Sequence, residues 1–213
     1  MTRGPMLPLT LIQIATTIVA RAAAAKALAA HVLAAMLVLA PPSAPRHQPE
    51  SAASVMERYR GIADAIALAA VTPRGREVTV GESEGQRRAA VLIGLARHES
   101  GPFERDVDVG PCRTAAAACD GGRSVSVWQV MTYTAEQRHA YRTDRYAAAD
   151  AAMRIALTSE ARCRGTDEER YGIYSSGACD RGRKAARELR QYVAHAHAVL
   201  AREVARASDP YAE

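Results

Sequence analysis

The chain has 213 residues, enough for one domain of ordinary size plus an N-terminal appendage, and 48% of them are hydrophobic, the share of a globular protein rather than a disordered one. Aromatic residues make up only 5%, with one Trp and one Phe, so the core must come from Leu, Ile, Val, Ala and Met on closely packed helices, and the class is mainly α. The net charge of +5 and a pI near 9.2 suit an anionic partner, but charge alone does not choose among a cell wall, a nucleic acid and a membrane surface.

Residues 1–45 differ in character from the rest. Two apolar stretches, Met6 to Ala20 and Ala27 to Ala40, flank Arg21 and Lys26, and each is shorter than the roughly 20 residues of a membrane-spanning helix. Charged residues, an apolar run and then Pro41-Pro42-Ser43-Ala44-Pro45 read as an export signal; Pro41 disfavours cleavage after Ala40, which leaves an uncleaved membrane anchor open. An Ala-rich helix used for assembly is the third reading. Export places the protein in the periplasm, outside the cell or on the membrane through this segment.

Residues 46–53 read as a linker. The domain proper is expected over 54–207, with 208–213 as a tail. Its first helix is expected to start at Ser54, in a capping box with Glu57, and to bury Val55, Tyr59, Ile62, Ile66 and Ala69 before Thr72-Pro73 ends it. A loop is expected over 74–86. Ala89, Leu92, Ile93 and Ala96 then mark a helix whose stripe Glu99 continues before Gly101-Pro102 breaks it.

The stretch from Phe103 to Gly122, rich in Asp, Gly and Cys, has the composition of a site-bearing loop. Ser124 to Met131 fits either a short strand or a first helical turn. Helix is expected from about Ala135 to Ala161, broken near Thr143-Asp144, with Tyr146, Ala149, Met153 and Leu157 on one face. A last helix over 183–207 is expected to bury Leu189, Tyr192, Val193, Ala196 and Leu200. Arg181, Arg183, Lys184, Arg187 and Arg190 cluster at its start, where a solvated face is at least as good a reading as a binding patch.

Cys112, Cys119, Cys163 and Cys179 match no zinc spacing and contain no CxxC pair. Behind an export signal they read as disulfides, Cys112 with Cys119 and Cys163 with Cys179. His195 and His197, two apart on a helix, do not share a face and make no metal pair. Asp106-Val107-Asp108-Val109-Gly110 lacks the remaining ligands of a calcium loop. No metal and no cofactor is expected.

Glu99 carries the strongest chemical signal. A carboxyl at the edge of an apolar wall loses hydration of its charged form, which favours keeping its proton and suits a general acid. Three segments line up in order: Glu99-Ser100-Gly101, then Ser124-Val125-Ser126-Val127-Trp128-Gln129-Val130-Met131, then Tyr174-Ser175-Ser176-Gly177. Over residues 54 to 205 this resembles the lytic transglycosylases and goose-type lysozymes, with their Glu-Ser, Ser-x-Gly-Leu-x-Gln-hydrophobic-Met and Ala-Tyr-Asn-x-Gly segments. Ser126 stands where that family has glycine, Thr132 where it has proline, Ile173 for alanine and Ser175 for asparagine.

The resemblance implies a lysozyme-like helical domain with a short β segment near a cleft. It also implies that Glu99 serves as acid and then base on peptidoglycan glycan strands, that Ser100 and Tyr174 orient it, and that Gln129 and Ser124 help bind the glycan. Asp106, Asp108 and Asp120 are the candidates for a second carboxylate, though turn formation is the better reading for each. His98 is expected on another helix face. The rival class is a wall-binding or assembly protein of weak activity that keeps this fold; a nucleic-acid partner is not expected, since no stacking aromatics accompany the arginines.

Overall fold

In the computed structural model, residues 11–42, 50–72, 80–103, 105–108, 122–166 and 169–208 are described. The first helix, α1 (Leu11–Leu39), presents Ala25, Leu28, Ala29, Val32, Ala35 and Met36 along one stripe, and the last three are fully enclosed. They pack against α2 (Ala52–Val71), α3 (Glu82–Ser100) and the last helix, α8 (Arg183–Ser208). Residues 25–40 therefore belong to the same core as the domain expected to start at 54. Small side chains at helical spacing produce both an apolar run and a packing stripe, and the sequence does not separate the two. By length and composition Val19–Leu39 is long and apolar enough to cross a membrane.

The start of α2 is set by Ser51 rather than by Ser54. The Ser51 hydroxyl accepts the Ser54 N–H at 3.1 Å, while Ser54 turns its own hydroxyl to Glu50. The expected buried stripe from Val55 to Ala69 is present, and the helix ends at Thr72. The next helix begins inside the expected loop: α3 starts at Glu82, where Glu82 and Glu84 complement the positive helix end and Glu84 pairs with Arg87 and Arg88. The earlier part of that loop, 74–79, lies outside the described residues.

Gly94 decides how α3 and α8 meet. A Cβ there would lie 2.6 Å from the Val193 Cα, so the α8 backbone rests directly on α3. Leu189, Ala196 and Leu200 of α8 are buried as expected and Val193 is partly so. Tyr192 is not: 38% exposed, it lies at the stripe's edge with its ring beside Arg97 and His98.

A one-turn helix, α4 (Arg105–Asp108), precedes a hairpin of β1 (Ser124–Val125) and β2 (Val130–Met131), antiparallel with Ser124 opposite Met131. That settles the segment the sequence leaves open. Two helices follow, α5 (Ala135–Thr143) and α6 (Arg145–Arg162), broken where expected because Thr134 and Asp144 each cap a new start. Ala149 and Met153 are buried and Tyr146 and Leu157 half-buried, with Ala148, Ala152 and Ala156 widening the face.

The short α7 (Gly172–Ser176) is tied back by the Cys163–Cys179 disulfide, which links the end of α6 to the segment after α7. Cys112, Cys119 and Asp120 lie outside the described residues, as does 209–213. The architecture is mainly α with a short β segment.

Candidate functional site

The site forms where α3 stops. Ser100 is buried, and its hydroxyl donates to the Ala96 carbonyl at 2.7 Å, closing the last helical turn. The chain then reverses through Gly101 and Phe103, both with positive φ (62° and 54°). For a bulky residue such as Phe103 that conformation is costly and persists only where the surroundings impose it.

Those surroundings are unusually polar for a core. Arg58, 6% exposed, donates Nη1 to the Phe103 carbonyl and pairs with the Glu50 carboxylate at 2.8 Å. The Tyr59 hydroxyl lies 2.8 Å from the Ala40 carbonyl and 2.9 Å from that of Pro102, and its ring meets Phe103 edge to face. Arg97 reaches the Leu39 carbonyl at 3.4 Å. The end of α1, the start of α2 and the turn after Glu99 are thus one hydrogen-bonded unit.

Glu99 lies on the α3 side of this unit with its side chain 23% exposed, half-buried yet open to solvent. Its Oε1 is 3.1 Å from His98 Nδ1, which donates whenever it carries the proton. The expectation that His98 faces elsewhere is corrected here: in the last turn, two long neighbouring side chains reach each other although their Cβ atoms diverge. The His98 ring also stacks edge-on against Tyr192.

Opposite stands the hairpin turn. Trp128 is fully buried and donates its indole N–H to the Leu92 carbonyl of α3 at 3.0 Å; its own carbonyl accepts the Tyr174 hydroxyl at 2.6 Å. One residue thereby fixes the hairpin to α3 and to α7. The Tyr174 phenol is pushed well above its ordinary value by burial, and the nearby Glu99 charge acts in the same direction. Glu99 and Tyr174 are therefore electrostatic neighbours, while the tyrosine's hydrogen bond goes to Trp128 and not to the carboxyl.

Ser126 and Gln129 flank that turn, with φ of 67° and 47°. With Phe103 they are the non-glycine residues of positive φ among the described residues, and all three border this site. Gln129 donates both its backbone N–H and Nε2 to the Ser126 carbonyl, at 3.0 and 2.9 Å.

Several expected roles change accordingly. Ser100 does not hydrogen-bond Glu99, because its hydroxyl is spent within α3. Ser124 is buried in β1. The Gln129 amide N–H is committed to its own turn. Asp108 has a fully buried side chain held by Arg145 at 2.6 and 3.0 Å, which anchors α4 to α6. Asp106 lies on α4.

Arg58, Glu50 and Trp128 were not singled out by sequence. The lone Trp, one residue before Gln129, was the available signal.

A groove of about 300 Å³ adjoins the hairpin, lined among others by Val130, Met131, Tyr133, Arg154, Ile155 and Ile173. It begins one residue from both Gln129 and Tyr174. Tyr133 at its rim is 86% exposed. Among the described residues no three His, Cys, Asp or Glu side chains converge as a metal site. No known family model, curated protein or solved structure matches this chain.

Proposed function

We propose that the protein is a lysozyme-like glycosidase that cuts the MurNAc to GlcNAc bond of peptidoglycan with Glu99 as its acid and base. The observation that carries this reading is the half-buried Glu99 carboxyl at a helix end, with the Tyr174 phenol close enough to feel its charge. The Glu99 carboxylic acid gives its proton to the leaving glycosidic oxygen as the bond to the anomeric carbon breaks. Positive charge at that carbon is met by the substrate's own N-acetyl oxygen, so no second protein carboxylate is required. The carboxylate then takes a proton from the muramic 6-hydroxyl, which closes an anhydro ring, or from water.

Tyr174 stays neutral throughout, since burial and the Glu99 charge both oppose its ionisation. It holds the Trp128 carbonyl, and through it the far wall of the site. The apolar N-terminal helix and the Cys163–Cys179 bridge support export to the compartment where such a substrate lies.

Glu99→Gln keeps the shape and removes the titratable proton. Its clearance of purified cell walls is expected to fall by about 10²–10⁴-fold, the usual worth of a general acid. Equal clearance by variant and wild type overturns the assignment. Mass spectrometry of released muropeptides separates the two product types by one water.

A second reading is a wall-binding protein of weak activity. It is favoured by the commitment of Gln129 and Tyr174 to backbone carbonyls rather than to the groove. Retention of wild type on insoluble wall without released sugar selects it.

A further inference from the structure

At the end of α3 the Glu99 carboxyl is held by a different side chain from the two expected to orient it. The Ser100 hydroxyl donates to the Ala96 carbonyl and the Tyr174 hydroxyl to that of Trp128, so neither is bonded to Glu99. His98 takes that place. Its Nδ1 lies 3.1 Å from Glu99 Oε1, and the two side chains are 18% and 23% exposed. Among the described residues the imidazole has no other hydrogen-bond partner, and Glu99 Oε2 forms no hydrogen bond.

The His98 ring is backed from α8. It meets Tyr192 edge to face with centroids 5.6 Å apart, and the Arg97 guanidinium lies 5.8 Å from the centroid of the same tyrosine. α8 is itself fixed there, because the Val193 backbone next to Tyr192 rests on Gly94 of α3. The imidazole is thereby held between an anchored aromatic ring and the carboxyl of the following residue. A neutral imidazole carries its proton on one nitrogen, and the nitrogen that faces an acceptor is favoured; here that nitrogen is Nδ1.

We infer that His98 is a positioning residue for Glu99: by donating Nδ1–H to Oε1 it places the acid proton on Oε2. The inference rests on the glycosidase reading. A carboxylic acid has a single O–H, and the oxygen that accepts from a neighbour is the carbonyl one, so the proton stays on the other. The Oε2–H bond then breaks toward the glycosidic oxygen, which takes the proton as it leaves the anomeric carbon with the bonding pair. As carboxylate, Oε2 takes a proton back from the muramic 6-hydroxyl or from water, and Oε1 stays hydrogen-bonded throughout. The opposite arrangement, a bare Nδ1 accepting from Oε1–H, turns the proton away from the substrate. His98 touches no reacting atom and acts through the carboxyl.

Two variants separate the donor from the ring. His98→Phe keeps a ring against Tyr192 and removes the donor; His98→Asn gives up the ring and puts an amide N–H where Nδ1 stands. On solubilised peptidoglycan strands, kcat of His98→Phe is expected to be about tenfold lower with KM unchanged, the worth of one such hydrogen bond, and His98→Asn to recover most of that loss. A merely structural role gives the reverse order, since Phe preserves the packing. A second readout needs no activity: the 15N shifts of the neutral His98 ring in the full chain are expected to show its proton on Nδ1, a preference lost in Glu99→Ala.

Equal kcat in His98→Phe and wild type overturns the inference, as does a neutral His98 ring with its proton on Nε2, or His98→Asn no better than His98→Phe. With Glu99→Gln inactive, those results leave the glycosidase reading standing. Wild type that releases no sugar, or Glu99→Gln as active as wild type, overturns that reading and this inference with it.

Discussion

The two walls of the Glu99 site are held by different physics. On one side, the turn at 101–103 is fixed by a buried ion pair, Arg58 with Glu50, and by carbonyls from α1 and the turn gathered on Tyr59. On the other, the hairpin turn is fixed by neutral hydrogen bonds through Trp128 and carries two residues, Ser126 and Gln129, in the left-handed region. The first wall cannot yield without stranding a charge. The second stores backbone strain that a small change in sequence relieves.

The comparison breaks most sharply at Arg58. Arg58→Met takes the guanidinium away from the buried Glu50 carboxylate and from the Phe103 carbonyl, and the expected loss is about 3–5 kcal/mol of stability, read from denaturant midpoints. A loss under about 1 kcal/mol would mean that the pair is dispensable and the two walls are alike.

Alkaline pH probes the hairpin side. Tyr174 and Tyr171 both titrate above their ordinary value of 10, Tyr174 through burial and Glu99, Tyr171 through burial and Glu160. Their contribution to stability is complete below pH 10 and is lost as pH rises through the raised folded values, because the unfolded chain ionises first. Tyr174→Phe is expected to be less stable at neutral pH but to lose less on going above pH 10. A melting curve that falls as steeply there as in wild type removes Tyr174 from the account.

Ser126→Gly relaxes the φ of 67° and should stabilise the protein by about 0.5–1 kcal/mol, the strain relieved exceeding the added freedom of the unfolded chain. Destabilisation would show that the Ser126 side chain matters more than its backbone. The smallest effect belongs to Glu84, away from both walls. Arg87 and Arg88 hold its carboxyl at about 2, so its contribution is present above the unfolded value of 4.5 and lost as pH falls through 2. The side chain is 36% exposed and solvent screens it, so Glu84→Gln should cost under about 1 kcal/mol.

Periodicity made the helices legible. The stripes of α2 and α3 and the break at Thr143-Asp144 follow from apolar spacing and caps that any reading of the chain finds. Three features were hidden for physical reasons. The stripe of α1 is written in alanine, leucine and valine, which serve a packed helix and a membrane equally well. The Arg58–Glu50 pair joins residues eight apart, on a helix and just before it, so no helical spacing connects them.

The hairpin occupies two residues per strand, too few for alternation to register. At the site, the order of segments along the chain pairs Glu99 with Tyr174, and the structure makes the two electrostatic neighbours. The hydroxyl of Ser100 is expected to orient Glu99 and the amide of Gln129 to help bind the glycan, whereas local backbone carbonyls accept from both.

The Cys163–Cys179 bridge encloses all of α7, and Tyr174 with it. Cross-linking two points 16 residues apart denies the denatured ensemble roughly 3 kcal/mol of chain freedom. That gain arises in the unfolded chain and is therefore shared by the whole fold. Thiol reductants consequently lower the stability of the fold as a whole, and the chain is at its firmest where the surroundings keep sulfur oxidised.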